Sequence, residues 1–105
     1  MNSRFVDTVA NEIAKEKAES LGRAGQLLEA AVRELRAFDA SGERPTAVRE
    51  EQRRELVSRV ARLVTNVVVQ REACGLIDAG YVLDFYDVPP EIVALLGKRP
   101  HPTAT

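Results

Sequence analysis

The sequence predicts an all-α protein: a long antiparallel helical hairpin followed by two short C-terminal helices, with a four-helix core completed by dimerisation. Three observations predict it. Apolar residues recur every three or four positions along most of the chain, the spacing of one helix face. Residues that pair Gly or Pro with polar neighbours cluster between those periodic stretches. The one stretch with strand-like composition, Val67-Val68-Val69, has no second strand candidate to pair with.

The first helix is expected from Ser3 to Phe38. Val6, Val9, Ala10, Ile13, Ala14, Ala18, Leu21, Ala24, Leu28, Ala31, Val32, Leu35 and Phe38 keep the three-four rhythm throughout. From Leu21 a heptad emerges, with Leu21, Leu28 and Leu35 at one position and Ala24, Ala31 and Phe38 at the other. Gly22 and Gly25 each cost about 1 kcal/mol against alanine inside a helix. The rhythm passes through them without a phase jump and no proline intervenes, so one continuous helix is expected. Gly25 lies beside the apolar stripe, where a missing side chain admits a close neighbour.

Asp39 to Arg44 reads as a loop, with Gly42 as a helix-ending residue and Pro45 suited to a first turn. The second helix is expected from Pro45 to Cys74, with Gly75 as its stop. It opens on an almost wholly charged run, Arg49 to Glu55. It then becomes apolar on more than one side through Leu56, Val57, Val60, Ala61, Leu63, Val64, Val67, Val68 and Val69. A helix of this kind is contacted from more than one direction. Leu76 to Tyr86 and Glu91 to Leu96 read as the short helices, separated by a turn at Asp87 to Pro90. Residues 1–97 are expected to form a single helical domain and 98–105 a flexible tail.

Helix length against chain length predicts self-association. A helix from Ser3 to Phe38 spans about 50 Å at ~1.5 Å per residue, too long to be enclosed by one compact domain of this size. The short helices are expected to cover the hairpin end near Val6 to Ile13 and Val67 to Cys74. That leaves Leu21, Gly25, Leu28, Val32, Leu35, Leu56, Val60, Leu63 and Val64 as the expected interface of a homodimer.

Composition narrows the function. The chain is 45% hydrophobic and 30% charged, which favours folding over disorder. Fifteen basic and sixteen acidic residues nearly cancel, which disfavours a surface made to grip nucleic acid or anionic lipid. A single cysteine and a single histidine exclude a disulfide framework and most zinc centres. Cys74 sits at a helix C-terminus, where the dipole disfavours a thiolate, and reads as a small hydrophobe. His101, between two prolines, reads as an exposed tail residue. Asp84 and Asp87 could share a helix face, but their spacing matches no calcium loop. Tyr81 and Phe85, four apart, are expected to pack together. No catalytic residue, metal ligand or cofactor is expected. Without a secretory signal or an apolar stretch of about 20 residues, the expected location is the cytoplasm.

Two stretches carry resemblances. Gln70 to Leu76, the following helix, the turn at Val88-Pro89 and the helix after it loosely resemble a helix-turn-helix repressor. The second helix of that motif would read bases, yet here it is Pro90-Glu91-Ile92-Val93-Ala94-Leu95-Leu96, without the donors that base reading uses. Glu12 to Ala18, Leu21 to Gly25, Gln70 to Leu76 and Tyr86 to Ile92 together resemble a small bacterial helical family of unknown function. That resemblance implies a free-standing domain of bacterial origin and assigns no activity.

The expected function is therefore a non-enzymatic interaction or scaffold module acting through helix–helix packing, on itself and on an unidentified protein partner. The alternative is a nucleic-acid-associated regulator. It would use the helix-turn-helix-like region or a basic stripe of Arg49, Arg53, Arg54, Arg59 and Arg62.

Overall fold

The computed structural model describes residues 3–76 and 78–97. The expected tail 98–105, with His101, lies outside the described residues. Every regular element of the described residues is a helix: α1 spans Ser3–Ala40, α2 Ala47–Ala73, α3 Ala79–Phe85 and α4 Pro90–Gly97. α1 is continuous through both of its glycines. A Cβ at Gly22 would meet open space, so that glycine is neutral to packing.

The helix ends follow local chemistry. Gly42 and Gly75 adopt φ of +69° and +82°, the left-handed conformation that glycine reaches without steric cost. α2 starts two residues later than expected because Thr46, not Pro45, is its cap. The Thr46 hydroxyl accepts a hydrogen bond from the Arg49 amide at 3.1 Å. Asp78 caps α3 in the same way, accepting from the Tyr81 amide.

α1 and α2 form the antiparallel hairpin. Between them lie Ala24, Leu28, Ala31, Val32 and Leu35 from α1 and Val57, Val60, Val64 and Val67 from α2. The C-terminal segment adds Val82, Val88 and Ile92 to the same cluster. This corrects the expected placement of the short helices. They cover the middle of the hairpin, not its end near Val6 to Ile13. The reason is what they bury. Burial of Val82, Val88 and Ile92 holds α3 and α4 back along the hairpin, and the exposed Arg36–Asp87 contact lies at the turn between them. Asp87 has φ of +51°, and Arg36 donates to its carbonyl at 2.6 Å and its carboxylate at 2.9 Å.

One consequence is that much of the expected dimer interface is spent inside a single chain. Leu28, Val60 and Val64 are at most 1% exposed, and Gly25, Val32 and Leu35 are also buried. Leu21, Leu56 and Leu63 pack partly buried against the same core. The other consequence is an overhang. Every residue from Ser3 to Glu19 is exposed. Those residues form an arm roughly 25 Å long. The radius of gyration is 17.9 Å, against about 13 Å for a compact domain of this length.

Candidate interaction surface

The arm begins where α2 ends. Ser20 donates to the side chain of Gln70 at 3.0 Å, which fixes the two helices at the same level there. α2 stops at Ala73, level with about residue 17 of α1 at ~1.5 Å per residue. Ser20 therefore lies on the face of α1 that meets α2. One and two heptads before it on the same face come Ile13 and Val6, 48% and 45% exposed. Val9 and Ala10 lie between them. The row that packs α2 against α1 thus continues past the end of α2 with nothing among the described residues against it. Phe5, also exposed, widens the apolar face near the tip.

A second surface lies between α2 and α4. It is an open groove of about 720 Å³ with Val57, Ala61, Leu95 and Leu96 on its walls and Arg54 and Arg62 at its edge. A third patch joins Tyr81 and Phe85. Their rings stack with centroids 5.4 Å apart, as the four-residue spacing predicts. The Arg71 guanidinium lies over the Tyr81 ring at 4.5 Å, and its Nε, buried, has no hydrogen-bond partner. The ring face is the contact that this cation has found.

Four of the six arginines of α2 are held by acids of the same chain. Arg49 pairs with Glu43 at 2.7 Å and lies over the Phe38 ring at 4.1 Å. Arg54 pairs with Glu51 at 2.6 Å and Arg59 with Glu34 at 2.7 Å. Arg53 is the centre of the cluster. It donates to both carboxylate oxygens of Asp39, at 2.7 and 2.9 Å, and to Glu91 at 2.9 Å. It thereby ties the end of α1 and the start of α4 to α2. Its hydrogen bonds hold the Asp39 and Glu91 carboxyls below the usual carboxylate range. The same bonds raise the Arg53 guanidinium further above its ordinary value. An arginine stripe neutralised in this way offers little free charge to phosphates.

The helix-turn-helix comparison fares similarly. α4 buries Ile92 in the core and commits Glu91 to Arg53. Asp87 pairs with Arg36 at 2.9 Å and lies outside both short helices, so it does not share a helix face with Asp84. Cys74 is a half-buried free thiol at the C-cap of α2. Among the described residues no group of three or more His, Cys, Asp or Glu side chains could hold a metal. No described helix is long and apolar enough to cross a membrane.

No family model, curated protein or solved structure matches the chain.

The arm was legible in the sequence as periodicity but was assigned to the wrong contact. Its apolar residues repeat as regularly as those of the core. The missing signal is where α2 stops relative to α1, which is set by the length of the 41–46 connection and by the C-terminal end of α2 at Ala73.

Proposed function

We propose that this protein is a non-enzymatic interaction module whose working element is the projecting arm of α1. The observation that carries this reading is the helix face that runs through Val6, Ile13 and Ser20. Ser20 is hydrogen-bonded to α2, whereas the apolar Val6 and Ile13 have no helix of the described residues against them. An apolar helix face with a helix-shaped vacancy beside it is suited to docking another helix. The rest of the chain is a scaffold that holds the arm out. A regulator that grips nucleic acid is the weaker reading, because four of the five arginines it would use are engaged by Glu34, Asp39, Glu43, Glu51 and Glu91.

The test is the double variant Val6→Glu/Ile13→Glu, melted at about 1 µM, where association is minimal. An arm that lies outside the core predicts a melting temperature within about 2 °C of the unaltered chain, since exposed substitutions act weakly. A fall of about 10 °C in the dilute chain would show that the arm folds back and belongs to the core, and the reading would fail.

A further inference from the structure

We infer that the helix docked on the arm is the arm of a second copy, packed antiparallel about a two-fold axis. This rests on the reading of the arm as a docking element and names its partner.

The apolar row is its own complement. Val6, Val9, Ala10 and Ile13 are symmetric about the point between Val9 and Ala10. In an antiparallel pair centred there, Val6 of one copy faces Ile13 of the other, and Val9 lies level with Ala10. A parallel pair would instead set each residue against itself, stacking large residues at the three levels of Val6, Val9 and Ile13 and the small Ala10 at a fourth.

The same register fills the space that α2 leaves. It sets the second copy's Ser3 level with Glu16. α2 of the first copy stops level with about residue 17. The described part of the incoming arm therefore runs along α1 on the side of that level away from α2. Each α1 is then covered by its own α2 over one half and by its twin's arm over the other. The incoming N-terminus meets the C-terminal end of α2, which brings opposite ends of two helix dipoles together. Leu76, just past that end, and Phe5 are both exposed apolar residues, at 44% and 67%.

Charge does not oppose this register. At about 100° per residue, Arg4 and Lys15 lie on the side of the arm opposite Ile13. Asp7 and Glu12 fall on opposite flanks of the row, and in an antiparallel two-fold pair each flank meets its own equivalent. The charges nearest in level therefore do not face each other across the seam.

The footprint is roughly 20 Å long on a helix about 10 Å across. That is small beside the ~800 Å² per partner of a standard stable interface. The dimer is therefore expected to dissociate on dilution.

Thiol cross-linking tests the register, in full-length chains with Cys74→Ala as background. Val6→Cys and Ile13→Cys are made as separate single variants, and circular dichroism confirms that each is folded. A short thiol-to-thiol cross-linker is applied to each alone and to their mixture. The expected result is a cross-linked dimer from the mixture at several times the yield of Val6→Cys alone. Equal or higher yield from Val6→Cys alone would mean a parallel pair and would overturn the inference. So would light scattering that gives the mass of one chain at every concentration up to the millimolar range. That monomeric outcome removes the second copy as occupant, whereas the docking reading fails only if the dilute Val6→Glu/Ile13→Glu variant loses stability.

Discussion

The phenol of Tyr86 occupies the space where a side chain on Gly25 would begin. A Cβ built on Gly25 would collide with the Tyr86 hydroxyl and stand 3.3 Å from its ring carbon Cζ. The ring is itself braced edge-on by Phe85, with centroids 4.9 Å apart. This contact sets how closely the α3–α4 turn approaches α1. It gives Gly25 a use that Gly22, open on all sides, does not have.

The two glycines should therefore respond in opposite directions. Gly22→Ala is expected to stabilise by about 0.5–1 kcal/mol, the helix-propensity gain. Gly25→Ala should forfeit that gain and destabilise by about 1 kcal/mol, because the Tyr86 ring must move. Adding Tyr86→Phe removes the colliding oxygen and should recover most of the loss. Urea denaturation of the four variants checks this. An additive cycle would show that the ring moves freely.

Burial also pushes the Tyr86 hydroxyl above its ordinary pKa. A folded-state value raised above the unfolded one favours the neutral phenol in the fold. The resulting stability is complete below about pH 10 and is lost as pH rises through the folded value. Thermal melts between pH 8 and 11 should show a smaller alkaline loss for Tyr86→Phe than for the unaltered chain.

The Arg53 cluster predicts the acid limb. Asp39 and Glu91 titrate below their ordinary values because Arg53 hydrogen-bonds their charged forms. Their stabilisation is complete above about pH 5 and lost as pH falls through the depressed values. All three side chains are a third or more exposed, so solvent screens the cluster. Arg53→Met should cost about 1 kcal/mol at pH 7 and flatten the decline in melting temperature between pH 5 and 3. An unchanged acid limb would show that the cluster contributes nothing to holding α4.

Leu27 and Leu28 are neighbours in sequence with opposite roles. Leu28 is fully buried, whereas Leu27 is 57% exposed. Leu28→Ala should cost about 2–5 kcal/mol and Leu27→Ala less than about 0.5. The comparison, read by denaturant midpoint, separates a core made within one chain from one made between two. A Leu28→Ala cost that grows with protein concentration would return this residue to an intermolecular seam.

Random duplex DNA should produce no gel shift even at low salt, since four of the five arginines of the α2 stripe are engaged by carboxylates of the same chain. A shift that weakens steeply with added salt would favour the regulator reading.

Periodicity and end signals by themselves determined the helices. The three-four rhythm through Gly22 made α1 one rod. Gly42 and Gly75 stopped the long helices, and the composition of the 67–69 run yielded to the absence of a strand partner. These are local properties, fixed by backbone geometry and by which face is apolar. The sequence also marked Gly25 as a point of close approach, although a tyrosine ring fills it and not a helix backbone.

Only the tertiary structure decided which apolar residues are covered by which. Leu28, Val60 and Ile13 have the same spacing and similar hydrophobicity, yet two are buried and one is bare. The difference is set by the level at which α2 ends and by the Asp87 turn that lays α3 and α4 over Val60 and Leu35. Both are long-range outcomes. The first follows from the loop between two rods of unequal length, the second from the burial of Val82, Val88 and Ile92, with Arg36 reaching across fifty-one residues to the turn. Periodicity reports that a face wants to be buried. It carries no record of where along that face the covering helix runs out.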